Sequence, residues 1–364
     1  MSKTVAIICE LNPAHNGHKY IFEEAKRLTG ADYLIAIMSG DFVQRGEPAI
    51  YDKHVRTKMA LSIGADAVFE LPLIFATASA QYFARGAVAI AKNLHCDYLA
   101  FGTESGDIKV IMNEDFNESN DILAREYLIA IDKLAPNIKP VLIKRQGAKY
   151  NDSNINNDGF SSASAIRNSL KANEDITNNI PDSIHSLIVK MGKRSAGLTF
   201  DDMSREIYYA LLYNKDKLNE YFDVFDDLGE KIVKNINKYT TAEEFVMALK
   251  SKDIAYSHLK RALLHIVLRI DNSSVKHCID NGYYIYTRLL GFRECSKELF
   301  NEFKKNQIKI ISKLADAENI LDSDALTVLD NDIKASNLYN YLMNSKYNSY
   351  GITDERTRPI VILK

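Results

Sequence analysis

The stretch AIICELNPAHNGHKYIFEEAKRLTG, residues 6–30, decides the fold of this chain. Its apolar start predicts a buried strand, and the amphipathic spacing from residue 17 onward predicts a helix. In the turn between them, Pro13 has no amide proton and Gly17 has no Cβ. A helix N-terminus in that place binds anions, and His15 and His18 add two ring donors beside it. The stretch therefore predicts a phosphate site. The alternative is that His15 caps a turn and His18 is an ordinary surface residue.

Strand-like and helix-like segments alternate on both sides of this turn. Apolar runs follow at residues 33–38, 67–71, 98–102 and 140–145, and helical periodicity covers residues 17–28, 51–63, 80–94 and 120–134. Such alternation predicts an α/β fold with a parallel sheet covered by helices. Ligands of these sheets bind at the carboxyl ends of the strands, where HNGH lies.

The pattern changes after Ala172. KANEDITNNIPDS is polar, and later segments such as REIYYALLYN and HLKRALLHIVLRI have helical periodicity. We therefore predict an α/β domain over residues 1–172, followed by a mostly α-helical domain over residues 173–364.

Bulk composition narrows the class of protein. The chain has 364 residues and a net charge of −2, so any nucleic-acid surface must be local. Its four cysteines are scattered without a CxxC pair, which is typical of free thiols in a reducing compartment. The sequence contains no signal-peptide pattern and no run of about 18 apolar residues. We expect a cytoplasmic protein with no membrane span.

A second motif, FSSASAIRNSL, occupies residues 160–170. Ser161 or Ser162 is a candidate helix N-cap, and Arg167 would present guanidinium donors to phosphate oxygens. Taken alone, this is an ordinary capped helix. Following HNGH at this distance, it indicates a nucleotide site.

The two motifs resemble those of the nucleotidylyltransferase superfamily. Together with MSGDFVQRGEPAIYDKHVRTKMAL, FELP, YLAFGTES and YTRLLGF, they resemble the bacterial tRNA(Met) cytidine acetate ligase family, although Ala14 stands where a bulky aromatic is expected. The resemblance implies a Rossmann-like parallel sheet of the nucleotidylyltransferase type, followed by a mostly α-helical domain that contacts tRNA. It also implies a ligase that activates acetate as acetyl-AMP with ATP. The acetyl group then goes to N4 of the wobble cytidine, C34, of elongator tRNA(Met).

The resemblance further implies an ATP site. His15 and His18 would be catalytic, stabilising the α-phosphate and the departing pyrophosphate. Asn151 is among the implied ATP-binding residues, with Asp152 or Asn154 as an alternative to it. The implied ATP-binding residues are Ile7, Ile8, Cys9, Glu10, Leu11, Asn12, Pro13, His15, Asn16, Gly17, His18, Tyr20, Gly102, Asn151 and Arg167.

A polar loop, SGDFVQRGEP, follows the second predicted strand at the ligand edge of the sheet. We expect Ser39, Asp41 and Arg45 to shape a pocket for acetate or cytidine. Mg²⁺ is expected with ATP, and Asp41 and Glu47 are candidate ligands, but no carboxylate cage is visible.

The helix predicted at residues 51–63 carries Lys53, His54 and Arg56. These side chains either serve the nucleotide site or form the solvated face of an amphipathic helix.

A basic segment is the candidate RNA surface. Residues 252–313 contain 12 Lys and Arg against 6 Asp and Glu, in a chain that is otherwise acidic. Within it, Arg288 and Arg293 are candidate RNA-binding residues, and the tyrosines of NGYYIYTRLLGFR are candidates for stacking on unpaired bases. The alternative is that Tyr283, Tyr284 and Tyr286 pack in a helical core.

Two other functions use the same motifs. One is a nucleotidylyltransferase acting on a small phosphate ester, and the other is a nucleotide-sensing RNA-binding protein without catalysis. Oligomeric state is not predicted.

Overall fold

The fold is built on one seven-stranded sheet, seen in a computed structural model that describes residues 2–113, 118–145, 155, 159–225, 227–349 and 353–364. Across the sheet the strand order is β7-β6-β1-β2-β5-β8-β9. The first five of these are mutually parallel, and β8 runs antiparallel to β5. The α/β prediction is confirmed. The strands are β1 (Thr4–Cys9), β2 (Tyr33–Ser39), β5 (Ala67–Leu71), β6 (Tyr98–Thr103), β7 (Lys139–Lys144), β8 (Arg288–Arg293) and β9 (Val361–Leu363), with a separate hairpin of β3 (Phe42–Val43) and β4 (Glu47–Pro48).

Helices cover both faces of the sheet in the first half of the chain. Because strand side chains alternate, Ala6 and Phe101 join the core on one face, and Val5 and Ile7 join the core on the other. The helices are α1 (Asn16–Thr29), α2 (Lys53–Ser62), α3 (Leu73–Ala76), α4 (Ala80–Asn93), α5 (Ile108–Ile111), α6 (Ser119–Leu134) and α7 (Ala163–Ala172). Residues of α1, α2 and α7 belong to the Val5 core, whereas those of α4 and α6 belong to the Phe101 core.

The second half is mostly helical, as predicted. Its helices are α8 (Asp182–Met191), α9 (Ser204–Asn214), α10 (Leu228–Asn235), α11 (Ala242–Leu249), α12 (Tyr256–Leu268), α13 (Asn272–Asp280), α14 (Lys297–Lys305) and α15 (Ser323–Lys346). Strands β8 and β9 were not predicted from the sequence; they join the same sheet and are paired in parallel with each other. The sheet is therefore not confined to residues 1–172, and the domain boundary stays a prediction.

The hairpin of β3 and β4 lies at the carboxyl edge of the sheet and contacts the helical half. Gly46, at its turn, has φ +76°, and a Cβ there would lie 2.4 Å from the backbone nitrogen of Arg261 in α12. Only glycine lets the hairpin approach α12 this closely. The contact fixes the hairpin beside the loop that follows β1.

Candidate active site

The turn between β1 and α1 brings the two histidines of HNGH together. Nδ1 of His15, the N-cap of α1, accepts a hydrogen bond from the Gly17 N–H at 3.1 Å, and Nδ1 of His18 accepts one from the His15 N–H at 3.3 Å. The ring centroids are 3.8 Å apart. Because a backbone N–H only donates, each Nδ1 is unprotonated and each neutral ring carries its proton on Nε2. The turn therefore presents two Nε2–H donors.

Gly17 is required by this ring arrangement. A Cβ at position 17 would lie 2.9 Å from Cε1 of His15, so any side chain would displace the ring. Leu11, fully buried in the same turn, has φ +50°, a left-handed conformation that non-glycine residues rarely adopt. Such backbone strain concentrates at functional sites, and here it belongs to the turn that orients the histidines.

Both rings are neutral at pH 7. Burial, reinforced by the Arg145 charge, lowers the pKa of His18 to about 3. Burial and the nearby charges lower the pKa of His15 well below its usual range. The pair therefore supplies hydrogen bonds, while the positive charge of the site comes from arginines.

The depressed pKa of His18 predicts a loss of stability in acid. Below pH of about 6.5 the unfolded chain binds protons that folded His18 rejects, so the free energy of unfolding falls as pH decreases toward 3. We expect His18→Gln to lose less stability than the parent between pH 7 and pH 5, by about 1 kcal/mol after allowance for partial solvent exposure. Urea unfolding at the two pH values measures this. His277→Gln, at an exposed position of α13, is the control, and equal losses in parent and His18→Gln would contradict the expectation.

The second motif approaches the same turn from the start of α7. Oγ of Ser162 accepts from the Ala165 N–H at 3.0 Å and caps the helix, whereas Oγ of Ser161 donates to Asn179 at 2.6 Å. Arg167 donates through Nη1 to the backbone oxygen of Asn12 at 2.7 Å. The guanidinium of α7 is thus fixed against the HNGH turn.

One cavity of about 160 Å³ joins the two motifs at the carboxyl edge of the sheet. Pro13, Asn16, Gly17 and Tyr20 do not line it, and Asn151, with its alternatives Asp152 and Asn154, lies outside the described residues. The predicted ATP-binding residues that do line the cavity are Ile7, Ile8, Cys9, Glu10, Leu11, Asn12, His15, His18, Gly102 and Arg167.

Asn16, which does not line the cavity, makes hydrogen bonds that support the fold. Its Nδ2 donates to the backbone oxygens of Gly159 and Asn178, each at 2.9 Å. This side chain joins the start of α1 to the segments that precede and follow α7.

Several residues that line the cavity were not predicted from the sequence. Arg145 follows β7 directly, and its side chain contacts the space above Gly102, where a Cβ would be 3.3 Å from its Cγ. Because Arg145 stands at the end of a predicted strand, its sequence position alone indicated that it lies at the ligand edge of the sheet. Gln44, whose N–H donates to Glu10 at 2.8 Å, lies within SGDFVQRGEP, and Phe101 lies within YLAFGTES, but neither was singled out. Phe83 and Asn120 lie outside every quoted motif.

Of the three residues predicted for the acetate or cytidine pocket, only Arg45 lines the cavity. The prediction that Asp41 shapes this pocket is wrong. Asp41 is buried, and its Oδ1 accepts a hydrogen bond from the Lys53 N–H at 2.7 Å at the start of α2. Ser39 is also fully buried outside the lining, and its Oγ has no hydrogen-bond partner among the described residues.

Neither Lys53 nor Arg56 lies on a solvated helix face. Both are fully buried, and Lys53 donates to Glu70 at 2.7 Å. Arg56 donates to the backbone oxygens of Tyr51 at 2.9 Å and Glu10 at 2.6 Å, and also to that of Gly40. Arg56 therefore ties together the loops that follow β1 and β2.

The structure removes Arg288 from the candidate RNA-binding residues. Its guanidinium is buried, donating to Glu70 at 2.7 Å and to Glu355 at 2.5 Å, so it does not reach solvent. Arg293 is half-buried at the other end of β8. Its backbone N–H donates to the backbone oxygen of Asp66, just before β5. That is the amino edge of the parallel strands, opposite to the cavity.

The three tyrosines proposed to stack on RNA bases differ in their burial. Tyr286 is fully buried and its hydroxyl donates to Asp332, as the core alternative predicted. Tyr283 and Tyr284 are half-buried, and Arg85 donates to the Tyr283 hydroxyl at 2.7 Å.

No metal site is evident in the part of the chain that the structure describes. That part contains no group of three or more His, Cys, Asp or Glu side chains able to hold a metal ion. Glu47 instead lies 3.2 Å from Lys260 and 3.9 Å from Arg167. All four cysteines are free, as expected.

None of the described helices combines the length and apolar character needed to cross a membrane.

The sheet, the paired histidines at the first helix and the arginine of the later helix define a nucleotidyltransferase. The profile of the family described as HIGH Nucleotidyl Transferase matches residues 2–115 and 109–354.

Individual relatives define the family more closely. The chain is 36% identical to the tRNA(Met) cytidine acetate ligase of Clostridium perfringens, covering 94% of this chain and 96% of the relative. It is 33% identical to that of Caldicellulosiruptor saccharolyticus, covering 99% of each. This chain belongs to the tRNA(Met) cytidine acetate ligase family.

Solved structures agree over the whole length. The apo crystal structure of Thermotoga maritima TmcAL, form I, has a TM-score of 0.90 at 27% identity, with 99% of each chain covered. Form II of the same protein, bound with alpha-thio ATP, has a TM-score of 0.89 at 26% identity and the same coverage.

Proposed function

We propose that this protein uses ATP to activate acetate as acetyl-AMP and acetylates N4 of C34 in elongator tRNA(Met). The names of its relatives support the reaction, and the alpha-thio ATP complex of TmcAL supports ATP as the nucleotide. The observation that carries the proposal is the pair of Nε2–H donors of His15 and His18 in a cavity that three arginines also line. Because both substrates, ATP and tRNA, occur in the cytoplasm, we propose that the reaction takes place there.

In the first step, an acetate oxygen attacks the α-phosphorus of ATP. The bond from that phosphorus to the oxygen bridging to the β-phosphate breaks, and pyrophosphate leaves. Negative charge grows on the phosphate oxygens, and donors already fixed in position stabilise it without reorganising. His15 and His18 supply two such donors through Nε2–H, and Arg145 and Arg167 supply positive charge. Mg²⁺ accompanies ATP as its counterion.

In the second step, N4 of the cytidine attacks the acetyl carbonyl carbon. The bond from that carbon to the phosphate oxygen breaks, AMP leaves, and N4 releases one proton to solvent. Positioning accounts for most of the rate in such a transfer. Gly102, whose missing Cβ leaves room beside Arg145, and the turn of HNGH form the floor of this space.

Acetate-dependent exchange of labelled pyrophosphate into ATP is the direct test. We expect exchange without tRNA, dependence on acetate, and transfer of labelled acetate to tRNA(Met) when C34 is present. Replacing acetate by a small phosphate ester is the control for the alternative nucleotidylyltransferase reaction. ATP binding with no exchange under any condition would leave the non-catalytic RNA-binding function.

A further inference from the structure

The cavity has a second wall that the first step does not use. It continues to a set of apolar side chains that we call the aromatic slot, formed by Phe83 of α4, Phe101 of β6, and Leu123 and Tyr127 of α6. The rings of Phe101 and Tyr127 are 5.3 Å apart, and both are almost fully buried. These four side chains form a continuous apolar wall of the cavity that contains three of its aromatic rings.

The aromatic slot lies on the opposite face of the sheet from the two motifs. The helices α1 and α7 belong to the core that contains Ile7, whereas α4 and α6 belong to the core that contains Phe101. The cavity passes between the two faces at Gly102, where β6 ends. A nucleotide held by α1 and α7 therefore leaves the slot open on the other side of the strand ends.

One polar group at the slot has a fixed orientation. Asn120, at the start of α6, lines the cavity, and its Nδ2 donates to the carboxylate of Glu104. Since a carboxylate only accepts, the amide cannot be flipped, and Oδ1 is turned away from Glu104. Oδ1 has no donor among the described residues. The slot therefore combines aromatic surface with one free acceptor, which suits a flat ring bearing an exocyclic amine.

We propose that the aromatic slot binds the cytosine base that accepts the acetyl group, with Asn120 Oδ1 accepting a hydrogen bond from N4. This inference rests on the proposed function and adds the residues that select the base. Unpaired RNA bases are recognised by stacking on aromatic side chains and by hydrogen bonds to their edges. Uracil carries an oxygen where cytosine carries the N4 amine, so an acceptor at this position discriminates between the two.

Binding without chemistry tests the inference directly. An anticodon stem-loop RNA with C at the wobble position should bind the parent protein about tenfold more tightly than the same RNA with U. We expect Asn120→Ala to abolish this preference and Phe101→Leu to weaken the binding of both RNAs. Fluorescence anisotropy in the absence of ATP measures both affinities. Asn93→Ala is the matched control, because it removes an equally half-buried amide at the carboxyl end of α4, away from Phe83 and the slot. An unchanged C-over-U preference in Asn120→Ala would overturn the inference.

Kinetics separate this slot from a site for adenine. In Asn120→Ala, acetyl transfer to tRNA should fall about tenfold more than acetate-dependent pyrophosphate exchange. A parallel rise in the KM for ATP in the exchange reaction would instead assign the slot to adenine and overturn the inference. Absence of exchange in the parent protein would refute the proposed function, and the RNA-binding result would still decide the slot.

Discussion

Replacing His18 by alanine should lower the rate of acetate-dependent pyrophosphate exchange by about 10²- to 10³-fold. The reason is that His18 Nε2–H is a fixed neutral donor, held by the bond from the His15 N–H to Nδ1. It is thus available for charge that develops only in the transition state. The loss should appear in kcat, with a smaller change in the KM for ATP. Initial-rate exchange at several ATP concentrations measures both.

Two controls make the His18 result specific. His277→Ala, at an exposed position of α13, should retain the parent rate, and thermal unfolding should show that His18→Ala is folded. His18→Ala also removes the acceptor of the His15 N–H, so His18→Asn, which keeps polar atoms at this position, should retain more activity. A rise in KM with kcat unchanged would show that His18 binds ground-state ATP and would contradict a catalytic role.

The parts of the fold that the sequence predicts are those with local signals. Apolar runs and helical spacing locate the parallel strands and α1, because each is a continuous pattern. HNGH and FSSASAIR predict the site because each lies at a strand end or a helix start. The contact of Arg167 with Asn12 was within reach of this reasoning, since both belong to quoted motifs.

The failures at Lys53 and Arg288 come from long-range partners. Lys53 and Arg288 look solvated in sequence, but both are neutralised by Glu70, which stands in the apolar strand FELP, and by Glu355 near the end of the chain. No local pattern links these positions. A charged residue is buried only where such partners converge, and that convergence is a property of the tertiary fold.

The same reasoning explains why β8 was missed. Its sequence, RLLGFR, is short and lies between helices, and it becomes a strand by pairing antiparallel with β5. On its other side β8 pairs with β9, and Gly291 permits that approach, since a Cβ there would lie 2.5 Å from the Val361 backbone oxygen. Strand formation at this position depends on segments hundreds of residues apart in the chain, which periodicity does not record.

Replacing Arg56 by methionine should give the largest loss of stability, about 3–5 kcal/mol in the free energy of unfolding. Arg56 is fully buried, and its guanidinium donates to the backbone oxygens of Glu10, Gly40 and Tyr51. Methionine fills most of the volume but leaves three buried carbonyls without these donors. The urea-unfolding midpoint measures the loss.

Arg56→Lys and Arg27→Ala set the scale for this loss. Lysine keeps the charge but cannot span three carbonyls, so Arg56→Lys should lie between the parent and Arg56→Met. Arg27 pairs with Glu24 on the exposed side of α1, so its removal should leave the urea-unfolding midpoint close to that of the parent. Because the Glu10 carbonyl belongs to the loop that leads into HNGH, Arg56→Lys should also raise the KM for ATP in the exchange reaction. An Arg56→Met protein as stable as Arg27→Ala would mean that water replaces the guanidinium, and that the loops after β1 and β2 hold their positions without it.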